Sequence, residues 1–174
     1  MCRHWVASRV DGLLISHSKK PLFEHIKLHL KKGLPIVHFD RVSYEVETAK
    51  VIQQDFEGSF ILTEHLILQG CKRIAVCAGP SQLLISTSRL DGYKAALAKY
   101  NIPFQSAYIY HTNFKDGESL LALEGWLKLP EKPDGILAVH YANAIEMIVE
   151  LKKRNINIPT EIAIAGFGDE LIAS

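Results

Sequence analysis

The sequence predicts an α/β protein built on doubly wound parallel sheets, and three observations carry that prediction. Short apolar runs alternate along the chain with helical segments. Several runs, Ile74-Ala75-Val76-Cys77-Ala78 above all, are continuously apolar, as strands covered on both faces should be. Gly, Pro, Asn and Asp mark the changes from one kind of segment to the next.

The strands expected in order are Gly12–Ser16, Ile36–Phe39, Ile74–Ala78, Ala107–Tyr110, Gly135–Val139 and Ile162–Phe167. Pro21 suits the first turn of a helix that Gly33 ends. Asp55 is placed to cap a helix running through Phe60 and Leu66 to Gly70. Arg89 opens an amphipathic helix carrying Leu90, Tyr93, Leu97 and Tyr100. Asp116 caps the next, with Leu120, Leu123 and Leu127 on one face, and Ala142 to Arg154 forms the last, ended by Asn155. The interval Asp40 to Asp55 breaks the rhythm and reads as irregular or extended. It is a crossing between two lobes or a surface loop within one sheet.

Composition narrows the function classes. The 174 residues, 48% hydrophobic and 22% charged, suffice for a substantial core. A formal charge of +1, spread evenly, shows no nucleic-acid or membrane footprint. Lys31-Lys32 and Lys152-Lys153-Arg154 close predicted helices, where cations offset the helix dipole. Three cysteines, one inside a strand run, fit a reduced cytoplasmic protein better than a disulfide framework. No apolar stretch approaches the ~20 residues of a membrane span, and the first residues lack a signal peptide's apolar core.

Chemistry concentrates after the third strand, where Gly79-Pro80 and a polar loop deliver Arg89 to the carboxyl end of a parallel sheet. Open α/β sheets bind ligands there, and a guanidinium is a fixed fork of donors for oxygen-rich ligands. No nucleophile–base pair stands beside it, so the segment reads as a binding site and not as an enzyme. The phosphate-loop and hydrolase-elbow patterns GxGxxG and GxSxG are absent. His25 and His29 have the spacing of a metal pair but no third ligand nearby in sequence, so neither metal nor cofactor is expected.

Several stretches together resemble the effector-binding module of LacI/GalR-type transcriptional regulators. They are Arg9-Val10-Asp11-Gly12-Leu13-Leu14-Ile15-Ser16, Gly33-Leu34-Pro35-Ile36-Val37-His38-Phe39-Asp40-Arg41, Glu64-His65-Leu66 and Gly70-Cys71-Lys72-Arg73-Ile74-Ala75. Ala78-Gly79-Pro80 with Arg89-Leu90-Asp91-Gly92-Tyr93, then Lys132-Pro133-Asp134-Gly135 and Ile158-Pro159-Thr160-Glu161-Ile162-Ala163-Ile164-Ala165-Gly166-Phe167, complete the set.

The resemblance implies a periplasmic-binding-protein-like fold of two lobes with a ligand in the cleft. Residues 1–51 would form part of the N-terminal lobe and 52–174 most of the C-terminal lobe. Both ends look cut: the family's helix-turn-helix headpiece, its hinge helix and the segments that return to the first lobe are not in this sequence. The parent protein would be a cytoplasmic homodimer that binds operator DNA through that headpiece and responds to a small, carbohydrate-like effector. A sugar-binding protein of a transport system is the alternative.

By position, Asp40 resembles the family's cleft carboxylate, Arg89 its arginine and Phe114 the aromatic that covers a sugar or base face. Ser16 and His17 end the first strand at the cleft rim, and Ser86, His140 and Asp169 complete the candidate set. Asp40 and Arg89, on opposing lobes, would grip vicinal hydroxyls from two sides. Each also has a plain structural reading: Asp40 or Asp169 capping a turn, Arg89 a helix-start cation in solvent, Phe114 core, His140 a satisfied buried histidine.

Three departures from the family stand out. His140-Tyr141 replaces the usual Asn-Asp, and Gly166-Phe167-Gly168-Asp169 replaces Gly-Phe-Asp-Asp, losing the first, ligand-touching carboxylate. Ile85 stands where a polar contact is common, with Ser86 next to it.

Overall fold

The structure is a computed structural model that describes residues 10–16 and 23–168. The chain divides into two compact units between Gln53 and Gln54. The first holds β1 (Leu13–Ile15), α1 (Phe23–Lys31), β2 (Ile36–Phe39) and β3 (Ala49–Val51). The sheet is parallel in the order β1-β2-β3, with Leu14 opposite Val37 and Phe39 opposite Val51. β3 corrects the sequence reading, which left Asp40 to Asp55 without a strand. Three residues with Lys50 at their centre are too short to show a period. The Lys50 ammonium donates to the Val46 and Thr48 carbonyls, fixing the approach to that strand.

Ile26, Ile36 and Val46 form the first unit's core under α1. The other sheet face leaves Leu14, Phe39 and Val51 exposed, at 73%, 41% and 63%. Among the described residues this unit has a helix on one face of its sheet, in keeping with the partial N-terminal lobe expected from the sequence.

The second unit has helices on both faces of its sheet, as the strand–helix rhythm predicts. Its elements are α2 (Asp55–Leu68), β4 (Ile74–Ala78), α3 (Leu84–Lys99), a 3-10 turn at Ser106–Tyr108, β5 (Ile109–His111), α4 (Glu118–Leu127), β6 (Gly135–Ala138), α5 (Tyr141–Lys153) and β7 (Ala163–Gly166). The parallel sheet runs β5-β4-β6-β7. Every residue of β4 is buried. Ile74, Val76 and Ala78 pack with Leu66, Leu90, Tyr93 and Leu97 of α2 and α3. Ala75 and Cys77 join Leu123, Trp126, Met147 and Leu151 of α4 and α5 on the other face. Each large side chain so buried contributes roughly 1.5–3 kcal/mol. Burial pushes the free Cys77 thiol up to about 12, which makes it a core residue and not a nucleophile.

Two of the resembling motifs turn out to be one structural clasp. Asp134 Oδ1 accepts from the Lys72 and Arg73 amides at 2.9 and 2.8 Å, and its Oδ2 pairs with the Arg73 guanidinium at 3.2 Å. The starts of β4 and β6 are thereby tied together at the end of the sheet where strands begin.

Helix boundaries depart from the sequence reading in ways that bear on the site. Asp55 is the first helical residue of α2, and Gln54, the N-cap, makes no side-chain bond. α3 begins at Leu84, so Arg89 lies in its second turn. The 3-10 turn takes up Ala107, and the strand there starts at Ile109. Asp116 caps nothing; Gly117, at φ 79°, is the N-cap of α4. The capping work falls to glutamates. The Glu118 carboxylate accepts from the Asn113 and Lys115 amides, and Glu146 of α5 accepts from the Gly117 amide at 3.1 Å and from the Ser119 hydroxyl. Together they pin loop 112–117.

α2 and α3 cross at bare positions. A Cβ on Gly92 would collide with the Phe56 carbonyl and lie 3.0 Å from the Phe60 amide nitrogen. Gly92→Ala is therefore expected to destabilise by about 1–3 kcal/mol. Gly125→Ala, on α4 with open space around the new methyl, should stabilise by ~0.5–1 kcal/mol. Urea unfolding followed by tryptophan fluorescence checks both signs.

The Asn113 amide, first among its partners, holds the Glu118 carboxyl below the usual range. A lowered folded-state pKa means the contribution is complete above the ordinary glutamate value and lost as pH falls through the lowered one. The Asn113 amide resonance should titrate with a midpoint below about 4.3, and Glu118→Gln should remove that titration.

Candidate functional site

In the second sheet, β4 connects outward to β5 on one side and β6 lies on the other, so strand order reverses between β4 and β6. The crevice beyond the carboxyl ends of two such strands is where open α/β sheets hold ligands. Gly79-Pro80 leaves β4 there and Val139-His140 leaves β6. The first turns of α3 bring Ser86 and Arg89 to the same place.

Arg89 is a buried cation, 9% exposed, not a solvent-facing one. Its Nε donates to Asp55 Oδ1 at 2.9 Å, and its Nη1 donates to the Val139 carbonyl. The Phe167 ring lies 3.9 Å from the guanidinium carbon. That ring is seated against α2, where a Cβ on Gly58 would come within 2.9 Å of it. The guanidinium is thus held by the first turn of α2, the end of β6 and the residue after β7. Asp55 and Arg89 side chains are each 11% exposed. A charge pair so enclosed is sensitive to losing one partner, which leaves the other charge uncompensated.

Ser86 is 3% exposed, and its Oγ has no hydrogen-bond partner among the described residues. A buried hydroxyl is ordinarily paired, which makes this one a candidate ligand contact. A Cβ on Gly79 would strike Ser86 Oγ and lie 2.5 Å from Phe114 Cζ. Only a bare residue at the end of β4 lets these two side chains approach. Ser86 therefore supplies the polarity that Ile85 withholds.

Phe114 sits on the His140 ring with centroids 4.8 Å apart. Its φ is 59°, a left-handed conformation that costs a bulky residue of order 1–3 kcal/mol and clusters at functional sites. Asp40 shares it at φ 56°. Among the described residues the other non-glycine residues of positive φ are Asn101 and Asn155, just past the ends of α3 and α5, where this backbone is routine. Asp40 lies in the first unit, where Ser16 Oγ donates to its Oδ2 at 3.2 Å. His17 and Asp169 lie outside the described residues.

Gly168 has φ 121°, and a Cβ there would lie 2.8 Å from the Tyr141 Cβ. That backbone strains any side chain at 168, so the carboxylate the resemblance expects there has no place. Beneath them Asn143 Nδ2 donates to Cys77 Sγ at 3.4 Å and Thr112 Oγ1 at 3.5 Å, a buried polar contact that is structural.

Of the candidate residues, the structure brings Arg89, Ser86, Phe114 and His140 together near the ends of β4 and β6. Sequence reasoning missed Asp55, read only as a helix cap, and Phe167, read only as strand. Asp55 lies 34 positions from Arg89, and no local pattern marks such a pairing. Among the described residues no group of three or more His, Cys, Asp or Glu is placed to hold a metal.

Comparison with known proteins agrees with this geometry. Residues 63–174 match the family model described as periplasmic binding protein-like domain. The HTH-type transcriptional repressor PurR of Actinobacillus pleuropneumoniae serotype 3 (strain JL03) is 26% identical over 162 residues, 93% of this chain and 48% of its own length. The HTH-type transcriptional repressor CytR of Escherichia coli (strain K12) is also 26% identical over 162 residues, covering 93% of this chain and 47% of its own. The chain thus spans about half the length of the curated relatives it matches. A solved LacI-family regulatory protein from Chloroflexus aggregans superposes with a TM-score of 0.88 at 27% identity, over 99% of this chain and 62% of the other. A sugar-binding LacI-family regulator from Escherichia coli, solved with phosphate, shares the fold at a TM-score of 0.85 and 24% identity, over 99% and 62%. The chain belongs to the periplasmic binding protein-like domain family, and its similarity to LacI-type regulators extends over nearly its whole length.

Proposed function

We propose that this chain is the sensing part of a cytoplasmic LacI-type transcription factor that binds a small, carbohydrate-like effector. The observation that carries the reading is the convergence of Arg89, Ser86, Phe114 and His140 on the β4/β6 crevice. A cation, a buried hydroxyl awaiting a partner and an aromatic face are the groups that hold a polyhydroxylated or heterocyclic molecule. In this reading the site holds its ligand without turning it over. Asp169 and His17 belong to the same assignment by resemblance, as do Asp40 and Ser16 of the first unit.

In this reading the parent protein is a homodimer whose helix-turn-helix headpiece grips operator DNA. Effector shifts its conformational equilibrium only by its differential affinity for the two states. The 1–51 and 52–174 segments serve as parts of the two lobes. That the curated relatives are repressors favours this over a transport binding protein, and the codons upstream of the chain test the choice. A helix-turn-helix there supports the regulator, and an apolar leader the transporter.

Titration calorimetry with a panel of sugars, nucleosides and purine bases is the direct test. Arg89→Ala and Asp40→Ala should each weaken the ligand found by ~1–3 kcal/mol. Arg89→Ala also strands Asp55, so Ser86→Ala provides the cleaner variant. Its hydroxyl has no protein partner among the described residues, so unfolding should be unchanged while affinity falls by about 0.5–1.5 kcal/mol. Unaltered affinity in all three variants would remove the site assignment.

A further inference from the structure

Arg89 and Asp55 together define what charge the site accepts. The guanidinium has a single Nε–H, and Asp55 Oδ1 takes it at 2.9 Å. Nη1 is turned to the Val139 carbonyl, and one face lies on the Phe167 ring at 3.9 Å. Bidentate capture of a phosphate or carboxylate through the Nε edge requires that same Nε–H. The positive charge is also already balanced, since the Asp55 carboxylate touches it at 11% side-chain exposure. An incoming anion would meet no net attraction, would stand near a second anion, and would lose its own hydration on entry. A neutral hydroxyl, amide or ring nitrogen meets no like charge and loses far less hydration.

The carboxylate on Arg89 comes from α2. At the end of β7, Gly168 has φ 121° and carries no side chain. Asp55, the first helical residue of α2, reaches the arginine from the other side. Residue 58 must be bare for Phe167 to sit between α2 and the guanidinium, so the first turn of α2 shapes both the charge and the stacking surface of Arg89.

We infer that Asp55 is a positioning residue that orients Arg89 and neutralises it, so that the ligand held at the β4/β6 crevice is uncharged. The inference rests on the binding-site reading given above and narrows its ligand class: free sugars, nucleosides or bases in preference to their phosphorylated or carboxylated forms.

The test uses the whole chain and inorganic phosphate as the probe, with the Arg89 Nε–Hε resonance and the thermal midpoint as readouts, against chloride at equal ionic strength. For the wild type, phosphate should leave both unchanged; a saturable shift of the Arg89 resonance overturns the inference. Asp55→Asn keeps an oxygen for Nε and removes only the charge, so it should gain phosphate affinity by about tenfold or more. A folded Asp55→Asn protein that gains none overturns it, and Asp55→Glu, which keeps the charge, should behave as wild type. If Asp55→Asn does not fold, the wild-type phosphate titration decides, joined by matched sugars and sugar phosphates. Binding of the phosphorylated member as tight as the neutral one overturns the inference. If no neutral ligand binds yet Asp55→Asn captures phosphate, the effector-binding reading fails while the role of Asp55 stands.

Discussion

A guanidinium at 9% exposure is stable only where its charge and its donors are met, and this requirement organises the carboxyl end of the second sheet. Arg89 draws on three separate elements: a carboxylate from α2, a carbonyl from the end of β6, and an aromatic face just after β7. None of these can shift far without leaving a buried charge unanswered. The crevice between β4 and β6 is therefore preorganised, and a ligand there finds its main polar group already oriented.

The second constraint is volume. Gly58 and Gly79 stand where a methyl would press on Phe167 and on Ser86 with Phe114, and Gly168, at φ 121°, stands against the Tyr141 Cβ. Aromatic groups and bare backbone are fitted to one another there, and the carboxylate on Arg89 comes from α2.

Strain and satisfaction are distributed in the same pattern. Phe114 is held in a left-handed backbone by a loop whose amides are taken up by Glu118 and Glu146. The cost of that conformation is offset by the charge-assisted bonds on either side of it. Deeper in the unit, the polar contacts of Asn143 and the Asp134 clasp serve the scaffold alone. The candidate site lies on loops and first helical turns, while β4, sealed on both faces, keeps them in register.

By itself the sequence determined the strands that periodicity can express. Ile36–Phe39 and Ile74–Ala78 are found where their apolar runs place them, because burial on one or both faces writes itself into adjacent residues. It also determined the ends of α1 and α5, through Gly33 and Asn155, whose left-handed backbones are local properties. What no neighbouring residue encodes was left to tertiary structure. β3 is a strand only because β2 offers it an edge. Asp55 looks like a helix cap until Arg89 arrives from 34 positions away. Asp116 has the right chemistry for a cap, yet Glu118 and Glu146 reach the loop amides first. Local pattern fixes which residues are apolar and where the backbone turns; which charges meet depends on how helices cross the sheet, and only folding in three dimensions decides that.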